Sequence, residues 1–283
     1  MNTSAQPTVS FYKMHGSGND FVLIDNRALR LPREAMPQWA RRICRTAFGV
    51  GADGLILLDT APAGSPADYV WDFHNADGSR AAMCGNGSRC AARLAHALGM
   101  AGPTHVLGTD AGPIRARVNP GAGTVRVQLT PPHGLALGAD LDVDGQRHSV
   151  HFVDTGVPHA VVFPEGLAGL DVRTLGRALR THPHFAPAGA NVNFARVDAP
   201  DAMTLRTYER GVENETYACG TGAAATVLVA NALGLVGTEV RVTTSGGEVL
   251  QIGLENGTVF LEGPAVVTYQ GQMFLDSLGL TLP

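Results

Sequence analysis

The chain has 283 residues, with 21 Lys and Arg against 25 Asp and Glu, a net charge of −4 and 45% hydrophobic residues. This balance offers no basic face for nucleic acid and no composition typical of a disordered tail, and no apolar run reaches the ~18 residues that a membrane span needs. The polar opening "MNTSAQPTVSFYK" does not read as a signal peptide, so a cytoplasmic location with all four cysteines as thiols is expected.

In chain order, "VSFYKMHG", "NDFVLIDN", "GLILLDT" and "ADYVWDFHNADG" read as strands, with an amphipathic helix from Gln38 to Phe48 between the second and third. A helix from Ser88 to Leu98 follows, stopped by Gly99, and then the strand "TVRVQLT". Beyond it come "HAVVFP", a helix from Leu170 to Leu179, "VNFARV" and "MTLRTYERG". A helix from Ala223 to Leu233 and the strands "EVRVTT", "EVLQIGL" and "TVFLEG" complete the series.

The series runs twice. Cys84 and Cys219 lie 135 residues apart, and at the same offset Leu98-Gly99 matches Leu233-Gly234 and "TDAGPI" matches "TSGGEV". The expected fold is mixed α/β (α+β), with two pseudo-symmetric domains, each a curled β-sheet or barrel around a central helix, and a cleft between them. The division is expected near residue 128, with residues 1–127 in the first half, 128–262 in the second and 263–283 returning to the first.

The matched cysteines open the glycine turns "CGNGSRC" and "CGTGAAA", each directly before a helix. A helix start presents unpaired N–H groups and a partial positive charge, so it binds anions and lowers a neighbouring thiol's pKa from about 8.5 toward neutrality. A carboxylate held by both turns would have Cys84 on one face of its α-carbon and Cys219 on the other. One thiolate could then remove the α-proton while the opposite thiol returns one, inverting the centre. Cys44 and Cys90, within helical patterns, read as buried packing residues. The only lysine, Lys13, has no other pyridoxal-site feature around it, so no such cofactor is expected. No C-x-x-C pair supports zinc, and "GVGADG" precedes a strand where a dinucleotide fingerprint would precede a helix.

The motifs "MHGSGNDFVLID", "NADGSRAAMCGNGSRCAARL", "GVPHAV", "NVNF" and "YERGVENETYACGTGAAA" together resemble the diaminopimelate epimerase family, in order, from about residue 11 to residue 235. The resemblance implies a cofactor-independent enzyme interconverting LL- and meso-2,6-diaminopimelate in lysine and peptidoglycan precursor synthesis, usually as a homodimer. It implies Cys84 and Cys219 as paired base and acid, with His159 and Glu209 assisting. It also implies substrate contacts from Asn19, Asn75, Asn191, Glu209 and Arg210, with amides supplied by Gly85, Asn86, Gly220 and Thr221. Two positions depart from the pattern: Val157 stands where many members have asparagine, and Gly54 where many have glutamine. Rival readings are a racemase or epimerase of histidine, proline or hydroxyproline, a double-bond isomerase of a small carboxylic acid, and a thiol redox sensor.

Overall fold

The computed structural model describes residues 7–282, which divide into two compact units, one of residues 7–127 and 264–282 and the other of residues 128–263. The first unit contains strands β1 (Thr8–Gly16), β2 (Asn19–Asp25), β3 (Gly54–Thr60), β4 (Tyr69–Asn75), β5 (Thr104–Thr109), β6 (Gly112–Asn119) and β7 (Thr124–Gln128). Helices α1 (Met36–Ile43) and α2 (Gly85–Ala97) interrupt the series. The second unit contains β8 (His133–Val143), β9 (Gln146–Asp154), β10 (Pro158–Val162), α3 (Val172–Arg180), β11 (Asn191–Ala199), β12 (Ala202–Glu209), β13 (Asn214–Thr216), α4 (Gly220–Ala232), β14 (Glu239–Thr244), β15 (Val249–Glu255) and β16 (Thr258–Pro264). Strand β17 (Val266–Phe274) then pairs with β1 in the first unit.

The duplication read from the sequence is present in the strand pairing. Parallel pairs β2/β3 and β4/β5 in the first unit correspond to β10/β11 and β12/β14 in the second. Helix α4 begins and ends 135 residues after α2, and β14 stands in the same relation to β5.

Each sheet packs around its post-cysteine helix. Helix α2 touches β1, β2, β3 and β6, and α4 touches β9, β10, β11 and β15. The composition of α4 explains its place: "GTGAAATVLVANA" is small and apolar on every side and lacks charge, so it is stable only when enclosed. Helices α1 and α3 are amphipathic and cover the opposite faces. Trp39, Ala40 and Ile43 of α1 pack on Val22, Ile24 and Leu55, while Val172 and Leu179 of α3 pack on Val192, Phe194 and Tyr208. Among the described residues no helix is long and apolar enough to cross a membrane.

Turns set the positions of two polar residues. Ser17 and Gly18 both have positive φ, 59° and 79°, in the two-residue hairpin that puts Asn19 opposite Gly16 at the start of β2. The β9–β10 hairpin pairs Asp154 with Pro158 and delivers His159 onto β10.

Several boundaries differ from the sequence reading. The two central helices begin three residues earlier than expected, at Gly85 and Gly220, and α1 runs from Met36 and ends at Ile43 rather than Phe48. Strands β5, β6, β8, β9, β13 and β17 were not marked by periodicity; β8, for example, is exposed along most of its length.

Candidate functional site

Each cysteine is the N-cap residue of its helix. Cys84 and Cys219 have extended backbone, and each sulfur accepts the N–H of the third helical residue, Gly87 or Gly222, at 3.4 Å. A thiol thus fills the place usually taken by a serine, threonine or aspartate oxygen. This explains the late helix starts read from the sequence: cysteine is not a customary cap and the glycines resemble breakers.

In the first unit, Asn19, Cys84 and Asn86 come together. The Cys84 thiol donates to Asn19 Oδ1 at 3.7 Å, and Asn86 Nδ2 donates to the same oxygen at 3.3 Å. The fully buried Arg89 holds Asn86 from behind: its Nη2 donates to Asn86 Oδ1 at 3.0 Å and to Ser17 Oγ at 2.7 Å. On the other side of Asn19, its Nδ2 donates to Asp53 Oδ2 at 2.6 Å, an oxygen that also accepts the Asp20 N–H. The lone lysine, Lys13, pairs with Asp20 and donates to the Gly51 carbonyl. Asn75 stands at the end of β4, its amide bonded to Ser79 Oγ at 3.0 Å and its backbone opposite Gly54. Gly54 itself has no room for a side chain: a Cβ there would meet Phe73 Cε2 at 2.6 Å. A glutamine at this position is therefore incompatible with the local packing.

In the second unit, the parallel register of β10 and β11 sets His159 beside Asn191. Asn191 Oδ1 accepts the Arg210 N–H at 2.8 Å, fixing the chain where β12 ends in Glu209, and Arg210 Nη1 donates to the Ala188 carbonyl. Cys219 Sγ lies 3.5 Å from Thr221 Oγ1, and the buried Thr155 hydroxyl donates to the Thr221 carbonyl at 3.2 Å. Asn193, two residues beyond Asn191 on the same face of β11, bonds to His159 Nδ1 at 3.0 Å.

The electrostatics correct one expectation. Burial drives both thiols upward, Cys219 to about 12 with the Glu209 carboxylate adding to the effect, and Cys84 in the same direction. The helix-start N–H groups act in the opposing sense but are outweighed. Burial likewise raises the Glu209 carboxyl. His159, fully buried and near Arg210, is pushed down to about 3 and is therefore neutral. Cys44 and Cys90 are buried packing residues, as their helical context indicates.

Asp53, Arg89, Asn193 and Thr207 were not singled out from sequence. Asn193 had a signal, since alternate positions of a strand share a face and "NVNF" contains Asn191 two residues before it. Asp53 lies in "GVGADG", whose spacing matches a dinucleotide motif and carries no signal of a contact with Asn19.

The sequence profile of the diaminopimelate epimerase family matches residues 11–134 and 151–268. The diaminopimelate epimerase of Hydrogenobaculum sp. is 44% identical over 270 residues, covering 92% of this chain and 97% of the relative. That of Aquifex aeolicus is 44% identical over 274 residues, covering 94% and 98%. Among solved structures, a hydroxyproline epimerase from Agrobacterium vitis aligns with a TM-score of 0.69 over 95% of this chain and 93% of its own, at 20% identity. Methylitaconate-delta-isomerase aligns with a TM-score of 0.66 over 97% and 98%, at 14% identity. At these identities the structural likenesses establish a shared fold.

Proposed function

The chain belongs to the diaminopimelate epimerase family, and from that premise we propose that it interconverts LL- and meso-2,6-diaminopimelate by moving a proton between Cys84 and Cys219. The observation that carries this reading is the repeated cap: two cysteines at equivalent helix starts, each with its own polar neighbours. In the forward direction one thiolate takes the α-proton and the other thiol delivers its proton to the opposite face. The second cysteine is left as thiolate, so charge and protons balance. The pair shares one proton, and its titration belongs to both residues together.

Raised thiol pKa values suit a weakly acidic carbon, because the thiolate, once formed, is a stronger base. The amides of Gly85, Asn86, Gly220 and Thr221 would stabilise charge developing on the substrate carboxylate. Asn19, Asn75 and Asn191 would orient the substrate, and Glu209 and Arg210 would meet the ammonium and carboxylate of its far end. We place the reaction in lysine and peptidoglycan precursor synthesis in the cytoplasm, carried out without a cofactor by a homodimer.

Proton NMR of the reduced protein with LL-diaminopimelate in D2O tests the reading. Meso product deuterated at one α-carbon is expected, with turnover lost in Cys84→Ser and in Cys219→Ser. Absence of exchange from folded, reduced protein, or normal turnover in either variant, would rule out the two-thiol reaction.

A further inference from the structure

Asn193 is buried and its side-chain amide can sit only one way round. Nδ2 donates to the Ala160 carbonyl at 3.1 Å, and a carbonyl can only accept; Oδ1 receives the Thr207 hydroxyl at 3.0 Å. The remaining Nδ2 hydrogen faces His159 Nδ1 at 3.0 Å, so that ring nitrogen must present a lone pair. A neutral imidazole accepting at Nδ1 carries its proton on Nε2. His159 Nε2 is itself buried and has no hydrogen-bond partner among the described residues, a costly condition for an N–H group unless a ligand satisfies it.

Asn193 also borders the Cys219 turn. A Cβ on Gly222 would lie 2.3 Å from Asn193 Oδ1 and 3.2 Å from Cys219 Sγ, so the amide and the thiol flank the same helical residue. Arg210 is the charged group that bears on His159, and Glu209 the one that bears on Cys219.

We propose that Asn193 is a positioning residue that locks His159 in the Nε2–H tautomer, so that His159 offers a neutral hydrogen-bond donor to an anionic acceptor and does not act as a base or an imidazolium acid. The tautomer stands on geometry alone, while its service to turnover rests on the two-thiol reading above. Neutrality agrees with the surroundings of the ring, since burial and Arg210 both oppose a second proton.

The full-length protein labelled with 15N-histidine tests this by long-range 1H–15N correlation, with the His159 signals identified by their loss in His159→Gln. Wild-type His159 is expected to show a bare Nδ1 and a protonated Nε2, unchanged between about pH 5 and pH 8. Asn193→Asp replaces the donor by an acceptor, so the proton should appear on Nδ1 and kcat should fall about 10²-fold, with KM moving less. Thr207→Val, which removes the donor to Oδ1 but leaves Nδ2 held by the Ala160 carbonyl, should keep the Nε2–H tautomer. A wild-type ring protonated on Nδ1, or titrating within that pH range, would overturn the lock. Unchanged kcat in an Asn193→Asp protein with reversed tautomer would overturn the service to turnover. Because the wild-type spectrum needs no substrate, a protein inert toward diaminopimelate would fail the proposed reaction while leaving the lock intact.

Discussion

Asp53 decides which end of the Asn19 amide Cys84 meets. A carboxylate demands a donor, so Asn19 turns its Nδ2 to Asp53 and its oxygen to the sulfur. That oxygen can hold a thiol proton and offers nothing to a thiolate, and the Asp53 charge acts in the same sense on Cys84. Asp53→Ala in a Cys219→Ser background should therefore lower the Cys84 pKa, read from thiolate absorbance against pH. An unchanged or raised value would refute this account of Asp53. Sequence could expose the cysteines because they repeat. It could not expose Asp53, whose role depends on the parallel pairing of β2 with β3 that brings Phe21 opposite Gly54.

Among the elements, the central helices were legible in type and position but not in their first turn. The apolar run "AAATVLVANA" announces a buried helix, yet its true start depends on a sulfur acting as cap. The strands missed from sequence had weak patterns for local reasons: Gly134 and Gly138 adopt positive φ within β8, which breaks its alternation, and β17 is exposed on most residues. The two caps also differ in tightness. A methyl group at Gly87 would find Ile56 Cδ1 at 3.3 Å, whereas at Gly222 it would strike Asn193 Oδ1 at 2.3 Å. Gly87→Ala should be close to neutral, because alanine's helix preference of about 1 kcal/mol offsets a slight crowding. Gly222→Ala should destabilise by about 1–3 kcal/mol in denaturant melts. Equal effects of the two changes would show that the Asn193 contact is not what demands glycine.

Across the whole molecule, the duplication carries the fold: one repeated pattern sets strands around a central helix in each half. Buried ionisable rings occur in both halves, though not at equivalent positions of the repeat. His74 and His105 in the first unit and His151 and His159 in the second are all buried, and burial lowers the pKa of each. The unfolded chain takes up protons below about pH 6.5 that the folded chain refuses, so stability is fully present above that pH and is lost as pH falls toward the folded values. Tm should accordingly drop between about pH 6.5 and pH 5, above the range where carboxylates titrate, and His159→Gln should flatten part of the slope. A flat Tm across that window would contradict the neutral, buried state of these rings.

The sulfur caps join the chemistry to the mechanics of the scaffold. A thiolate holds an N–H more strongly than a thiol does, so under the two-thiol reaction each turnover tightens the first turn of one central helix as it slackens that of the other. The amide hydrogens of Gly87 and Gly222 thereby become paired gauges of where the shared proton resides.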